Sequence, residues 1–220
     1  MNKCYLCGAT DKRLTDDHIP PKGFFPKPRP KNLIVVRCCV DCHAPLSLQD
    51  EAFRAWVSSV HGASPAGKWI FQNKVVASSF ARSPKLRENM KRHLRTLQLK
   101  SMGHTIEAPA LCIPEERANI FLKRLTKGLL THFYPEYDYG NDQFIIQVRA
   151  PIREHLEQLQ AFSKNCVRDS RGDGVFDFWR ALVPDYAGGL WIYLFYQEVC
   201  FVVCHSSKWL DKPPARAKFG

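Results

Sequence analysis

Two cysteine pairs near the N-terminus constrain the fold of this chain more than any other feature. Cys4 and Cys7 form one C-x2-C pair, and Cys39 and Cys42 form a second. Each tight turn presents two sulfur atoms to one ion, so the two pairs match the tetrahedral ligand set of a structural Zn²⁺. Four sulfur ligands leave no open coordination position, which predicts a zinc that stabilises the fold without catalysing. Because Cys38 directly precedes Cys39, it is an alternative ligand.

The composition is that of a globular protein with a strong positive charge. The 220 residues are 45% hydrophobic, and the formal net charge is +11. This charge favours a polyanionic partner, most simply nucleic acid, although it would also serve general solubility. The sequence shows neither an apolar signal core at its start nor the ~18 apolar residues of a membrane span. We therefore expect a cytoplasmic protein with reduced cysteines and no membrane contact.

Four polar residues lie between and just after the cysteine pairs in a fixed order. Asp17 and His18 open the segment DHIPPK, Asn32 precedes an apolar run, and His43 follows the last cysteine. Over residues 4–54 this order resembles the HNH endonuclease family in its zinc-knuckle form, especially bacterial stand-alone HNH proteins with a D/E-H-I-P-P-K segment. The resemblance implies a ββα-metal fold, in which two strands and a helix hold one catalytic divalent ion.

The resemblance also implies a role for each of these residues. His18 is the expected general base, because an imidazole accepts a proton near neutral pH. Asp17 and His43 are the expected ligands of a catalytic Mg²⁺ or Mn²⁺, which would keep open positions for water and phosphate. Asn32 is expected to hydrogen-bond the His18 ring and select its tautomer. The alternatives are that His43 replaces a cysteine in the zinc shell, and that the other residues are structural turn residues.

Basic residues in two segments are candidates for binding phosphate groups. The loop over residues 19–31 contains five prolines, which predict a rigid extended segment. A predicted helix over residues 84–99 carries a basic stripe beside an apolar one. The expected partner is double-stranded DNA, although both segments also fit a solvated surface. The candidate nucleic-acid-binding residues are Lys22, Lys27, Arg29, Lys31, Arg37, Arg87, Lys91 and Arg95.

The whole sequence predicts an α+β fold in three parts. Residues 1–61 form the zinc-knuckle nuclease module, whose helix is expected to be capped by Ser47 and Asp50. Residues 62–103 form a basic helical connector. Residues 104–220 form an α+β region of unassigned role with a β-hairpin, and their segment R-L-T-K-G-L-L also resembles a K-G-L helix of longer members of the same HNH group.

Periodicity and turn signals predict the individual elements of these parts. Residues 13–18 are expected to form a short strand or a turn. Further strands are expected from Asn32 over NLIVV, from residue 104, at Phe144–Val148, and as a hairpin at 190–196 and 199–205. The helices are expected at residues 67–81, at 84–99, from Pro114 to about Phe133, and at Ile152–Phe162. Residues 169–174 are predicted to form a turn-rich loop.

The leading functional hypothesis is a metal-dependent DNA endonuclease that serves phage defence or restriction. The first alternative is a zinc-stabilised nucleic-acid-binding protein without catalysis, which would not need the complete set of Asp17, His18, Asn32 and His43. The second is a docking protein, in which residues 104–220 bind another protein or a second copy of the chain. Plasmid nicking with Mn²⁺ and with EDTA separates the first two hypotheses.

Overall fold

The fold joins a small N-terminal hairpin to a larger C-terminal sheet through a helical middle. The computed structural model describes residues 3–60, 62–101, 104–140, 142–149, 164, 166–183 and 188–207. Within them the fold is α+β, as the sequence predicts, with two separate hairpins and a five-stranded antiparallel sheet. None of the described helices is long and apolar enough to cross a membrane.

The N-terminal hairpin consists of β1 (Leu14–Ile19) and β2 (Ile34–Cys39), which pair antiparallel. Of the two possibilities expected at residues 13–18, a short strand or a turn, the structure has the strand. β2 begins later than Asn32 and alternates buried with exposed residues, so it is a half-buried strand and not the buried strand that NLIVV predicts. The proline-rich connection is extended except for one 3-10 turn at Lys22–Phe24.

Two helices follow β2 directly: α1 (Val40–His43) and α2 (Leu46–Ser58). The predicted cap of α2 is wrong, because the helix begins at Leu46 with no side-chain hydrogen bond at its N-terminus. Ser47 thus lies inside the first turn, and Asp50 contacts a distant arginine instead. The helical periodicity of this segment predicts an apolar face of Phe53, Trp56, Val57 and Val60. The first three are buried, and Val60, just beyond the helix, packs partly buried against the core.

The middle of the chain is helical over most of its length. It contains α3 (Pro65–Ile70), a π-helix (Phe71–Ser79), α4 (Phe80–Arg82) and α5 (Pro84–Arg92). The helix predicted at residues 67–81 is confirmed, although its central part has the wider π geometry. Proline occupies the first turn of both α3 and α5, where its missing N–H costs no hydrogen bond.

The helix predicted at residues 84–99 is wrong in its second half. α5 ends at Arg92, and the chain continues as β3 (Leu94–Ser101), which pairs antiparallel with β4 (His104–Leu111). The apolar spacing of the helix continues into Leu94, but this side chain is 50% exposed and so does not extend a buried helical face. The backbone N–H and C=O groups of these residues are instead paired by the hydrogen bonds between β3 and β4. The strand predicted from residue 104 is confirmed.

The C-terminal region packs one long helix on the five-stranded sheet. α6 (Glu115–Phe133) follows Pro114, as predicted. The strand and hairpin predictions are confirmed by β5 (Gln143–Arg149), β8 (Gly188–Phe195) and β9 (Val199–Ser206). Residues 169–171, however, belong to a strand and not to the predicted loop, because Asp169 lies opposite Phe178 in a ladder. The predicted helix Ile152–Phe162 lies outside the described residues. The other two strands of the sheet are β6 (Val167–Arg171) and β7 (Phe176–Val183). The spatial order of the five strands is β5-β9-β8-β7-β6.

One hydrophobic core connects the N-terminal hairpin with the C-terminal sheet. Its centre is a group of phenylalanine rings from the loop, α2, α6 and β8. Phe53 and Phe121 stack with ring centroids 3.9 Å apart, and Phe24 stacks on Phe121 at 5.5 Å. The first and third parts of the sequence therefore share one interior. A smaller cluster joins Trp56 of α2 to the helical middle.

A glycine of α6 determines how closely this helix approaches β1. A Cβ atom at Gly128 would lie 2.7 Å from the side chain of Ile19, so only glycine permits the observed contact. Asp17 and Ile19 face the same side of β1, and Arg124 lies one helical turn before Gly128. The close packing of α6 therefore brings Arg124 next to Asp17.

Candidate functional site

Four cysteine sulfur atoms converge at one end of the N-terminal hairpin. The Sγ atoms of Cys4, Cys7, Cys39 and Cys42 all lie within 4.8 Å of one another. The sulfurs of Cys7 and Cys39 are 3.7 Å apart, close to the ~3.8 Å that tetrahedral Zn–S bonds of ~2.3 Å impose. Cys4, Cys7, Cys39 and Cys42 are all free thiols. The four thiols can therefore hold one metal ion.

Local hydrogen bonds fix the first cysteine turn beside β2. Gly8 has a φ of +73°, and its N–H donates to the carbonyl oxygen of Cys4 at 2.8 Å. The N–H of Tyr5 donates to the carbonyl oxygen of Arg37 at 3.0 Å. Burial raises the pKa of the Cys4 thiol, but backbone hydrogen bonds, that from Cys39 foremost, outweigh burial and bring the pKa to about 6. The turn thus favours the thiolate that a metal ion needs.

Cys38 lies outside the converging set. Its Sγ is 4.0 Å from the Sγ of Cys4, and its side chain is fully buried. Burial, with the neighbouring Cys4 as the next cause, raises the pKa of the Cys38 thiol well above its ordinary value. The geometry therefore groups Cys39, and not Cys38, with the other three ligands.

Asp17 is a buried carboxylate whose two oxygen atoms have different neighbours. Its side chain is 3% exposed. Oδ2 accepts a hydrogen bond from the Tyr5 hydroxyl at 2.7 Å and lies 3.6 Å from Nη1 of Arg124. Oδ1 lies 3.6 Å from Nε2 of His43, which is too far for a direct hydrogen bond. One oxygen is thus held in place, while the other faces an imidazole across a gap.

The gap between Asp17 and His43 has the dimensions of a divalent-cation site. Two ligand atoms bound at ~2.1 Å to one octahedral ion lie roughly 3–4 Å apart. The side chain of His43 is 37% exposed, so solvent reaches the histidine side of the gap. Tyr5 and Arg124 orient the carboxylate from behind, as supporting residues do around many metal ligands. The carboxylate oxygen of Asp17 and the imidazole nitrogen of His43 thus face each other at a distance at which both could contact one cation.

Arg124 connects Asp17 to a second carboxylate, that of Asp50. Nη2 of Arg124 forms an ion pair with Oδ1 of Asp50, and the arginine side chain is only 5% exposed. Burial raises the pKa of Asp50 to about 6, against the lowering effect of Arg124. The ion pair with Arg124 favours the ionised form of Asp50, against the effect of burial. Asp50 anchors the arginine that supports Asp17.

His18 follows Asp17 on β1 and is half-buried. Successive side chains of a strand point to opposite faces, so His18 and Asp17 flank the strand from different sides. Burial lowers the pKa of the His18 ring, and the nearby cation of Lys22 lowers it further, against the opposing effect of Asp17. The ring is therefore neutral at neutral pH, which is the form that accepts a proton.

Asn32 lies in the exposed turn before β2. In the part of the chain that the structure describes, no hydrogen bond joins its side chain to His18. The hydrogen bond expected between Asn32 and the His18 ring is therefore not found among the described residues. His43 is likewise outside the cysteine set and faces Asp17 instead.

The predicted phosphate-binding residues are of two kinds. Arg37, Arg87 and Lys91 are each paired with a neighbouring carboxylate. Arg95 lies on β3 and donates to backbone carbonyl oxygens, so it does not extend a basic stripe on α5. The four basic residues of the proline-rich loop are exposed and form no ion pair within the described ranges: Lys22, Lys27, Arg29 and Lys31.

Sequence reasoning missed two residues that hold Asp17. Tyr5 lies inside the first cysteine pair, where a tyrosine carries no functional signal of its own. Arg124 opens the segment R-L-T-K-G-L-L, whose glycine at position 128 indicates a close approach of the helix to another element. The pairing itself depends on the packing of α6 against β1, which no local pattern encodes.

Comparisons with known proteins do not assign a family to the chain. No protein-family model, no curated protein and no solved structure matches it. The function must therefore be inferred from the residues and the geometry of the site.

Proposed function

We propose that the protein is a metal-dependent HNH-type endonuclease that hydrolyses phosphodiester bonds of DNA. The observation that carries this proposal is the 3.6 Å gap between Asp17 Oδ1 and His43 Nε2, with the other oxygen of Asp17 held by Tyr5. The order β1, β2 and α1 agrees with the two strands and helix of a ββα-metal fold. The adjacent cysteine set agrees with its zinc-knuckle form.

Two metal ions belong to this proposal. The four cysteine thiols would hold a structural Zn²⁺, because they are sulfur ligands that leave no open position. Asp17 and His43 would hold Mg²⁺ or Mn²⁺. When bound, this ion supplies positive charge to the phosphate oxygens of the scissile bond. Tyr5 and Arg124 keep Asp17 Oδ1 turned towards His43, because they hold Oδ2.

His18 is the general base of the proposed reaction. Its ring accepts the proton of the attacking water, and its lowered pKa keeps it neutral at neutral pH. The loop cations hold the phosphate backbone of the substrate on the protein. In the family that the sequence resembles, the corresponding asparagine orients the histidine ring. Asn32→Ala should therefore lower the nicking rate less than His18→Ala, because Asn32 does not itself accept the proton.

Nicking of supercoiled plasmid in the presence of Mn²⁺ tests the proposal. His18→Ala should lower the nicking rate by roughly 10²–10⁴-fold, with unchanged zinc content and thermal stability. Asp17→Asn should also abolish nicking, because it weakens the divalent site. The matched control is Asp16→Asn, an exposed neighbour on the same strand, which should retain the wild-type rate.

Two results would separate the competing functions. If His18→Ala nicks plasmid at the wild-type rate, the proposed mechanism is wrong. If the wild-type protein binds DNA but does not nick it with Mn²⁺, the chain is better described as a zinc-stabilised binding protein. The unpaired cations of the proline-rich loop would serve that alternative equally well.

A further inference from the structure

The π-helix Phe71–Ser79 is an unusual element at an exposed position. π-turns are rare, are mostly limited to single turns, and are frequent at functional sites. This π-helix runs for nine residues between α3 and α4. It is anchored to α2, because the Ser79 hydroxyl donates to Glu51 at 2.5 Å and accepts a hydrogen bond from Arg54 at 3.3 Å. Lys74 lies near the middle of this π-helix, and its side chain is half-buried.

Lys74 lies among cations that come from two other segments. Burial lowers the pKa of its ammonium group, and the charges of Arg29, Arg54 and Lys27 lower it further. Arg29 and Lys27 belong to the proline-rich loop, whereas Arg54 lies on α2. Arg54 contacts both segments, because a Cβ atom at Gly23 of the loop would overlap its Nη1 and its Nη2 donates a hydrogen bond to Ser79 of the π-helix at 3.3 Å. Lys74 lies five residues before Ser79, the spacing of one π-turn. The loop and the π-helix therefore meet around Arg54, on the side of the π-helix that carries Lys74. We call the basic surface formed by Lys22, Lys27, Arg29 and Lys74 the loop–π surface.

The charges of the loop–π surface are not neutralised by the protein. Among the described residues, none of its four members forms an ion pair with a carboxylate. The nearest acid to Arg54 is Glu51, which Arg82 shares at 3.0 Å. By contrast, the basic residues Arg87 and Lys91 of α5 both pair with Glu88. Uncompensated like charges repel one another, and a polyanion relieves that repulsion.

The loop that carries these charges is fixed in position. A Cβ atom at Gly23 would overlap Nη1 of Arg54, so the loop backbone rests directly on that guanidinium group. The Tyr196 hydroxyl donates to the carbonyl oxygen of Phe24 at 2.9 Å, and the Phe24 ring is fully buried. Nε of Arg29 donates to the carbonyl oxygen of Lys22 at 3.3 Å. A cationic surface held in this way loses little conformational freedom on binding.

We propose that the loop–π surface binds the phosphate backbone of the DNA and that Lys74 of the π-helix extends the contact beyond the proline-rich loop. The identity of the polyanion rests on the proposed nuclease function, whereas the phosphate chemistry follows from the surface itself. Lys22 follows the last residue of β1 by three residues, and Arg29 contacts the carbonyl oxygen of Lys22. The surface therefore begins beside the strand that carries His18 and continues, past Arg54, to the π-helix.

A salt titration of DNA binding tests this proposal. The affinity of the full chain for a roughly 20-base-pair DNA duplex is measured by fluorescence anisotropy over a range of NaCl concentrations, without added Mg²⁺ or Mn²⁺. Lys74→Gln should weaken binding several-fold and reduce the slope of log K against log[salt] by about 0.9, the value for one lost phosphate contact. Lys74→Arg should restore both quantities.

The matched control is Lys68→Gln, which removes the same charge from an exposed position on α3. It should keep the wild-type slope. Equal slopes for wild type and Lys74→Gln, or equal losses in Lys74→Gln and Lys68→Gln, would overturn the proposal. Because cleavage is not measured, a wild-type protein that binds without nicking would contradict the nuclease assignment and leave the loop–π surface intact.

Discussion

Two aspartate–histidine pairs occur in the described part of the chain, and they differ in the space between their side chains. Asp17 and His43 of the N-terminal hairpin are 3.6 Å apart, with the imidazole 37% exposed. Asp142 and His205 at the C-terminal sheet are 2.5 Å apart, and both side chains are completely buried. The first pair leaves a gap that solvent can reach. The second pair is a closed hydrogen bond.

The surroundings of the two pairs explain this difference. Asp142 also accepts a hydrogen bond from the Tyr137 hydroxyl, and Phe144 stacks on the His205 ring with centroids 5.7 Å apart. These contacts fill the space around a structural pair. At the first pair, the supporting groups bind only the oxygen of Asp17 that faces away from His43. Identical residue types thus form a structural contact in one region and a candidate metal site in the other.

Breaking the cysteine site should have the largest effect, because it should disrupt the pair of Asp17 and His43, which we call the open pair. Cys39→Ser should release the bound zinc and unfold the hairpin that carries Asp17, because structural zinc contributes folding free energy directly. The matched control is Cys38→Ser, since Cys38 is adjacent and equally buried but lies outside the ligand set. It should keep one zinc per chain, as measured by metal analysis together with thermal unfolding. Zinc retained by Cys39→Ser and lost by Cys38→Ser would reverse the ligand assignment.

A smaller effect is expected from the residue that supports the open pair from α6. Arg124→Lys keeps the charge but not the planar group that reaches both Asp17 and Asp50. It should weaken Mn²⁺ activation of nicking by roughly 10–100-fold, as changes behind metal ligands typically do. High Mn²⁺ should restore the rate. Arg117→Lys, on the exposed side of the same helix, should have no effect, and equal Mn²⁺ requirements in both variants would remove Arg124 from the site.

The smallest expected effect concerns the pair of Asp142 and His205, which we call the closed pair. It is the contribution of this pair to the pH dependence of stability. Burial lowers the pKa of His205 below its ordinary value, although Asp142 opposes this shift. The unfolded chain therefore binds more protons at His205 below about pH 6.5, and stability falls as the pH drops through this range. His205→Gln should remove this contribution, so its melting temperature should fall less than that of the wild type between about pH 7 and pH 5. An identical fall would show that His205 is protonated in the folded protein.

Local patterns in the sequence predicted the elements, but not the packing that completes the site. The cysteine spacing predicted the converging sulfurs, and alternation or apolar runs predicted β1, β8 and β9. Arg124 could not be predicted as a partner of Asp17, because the two meet only when α6 packs against β1. The same limit explains the error at residues 94–99, where leucine spacing fits a helix until a partner strand pairs with it.

Binding of Mn²⁺ to the zinc-loaded protein, followed by electron paramagnetic resonance, tests the central claim most directly. The wild-type chain and His205→Gln should each bind one Mn²⁺, because the open pair, unlike the closed pair, has a gap for an ion. Asp17→Asn and His43→Ala should both lose this binding while they retain zinc. Mn²⁺ binding that persists unchanged in both of these variants would contradict the assignment of a divalent site to Asp17 and His43.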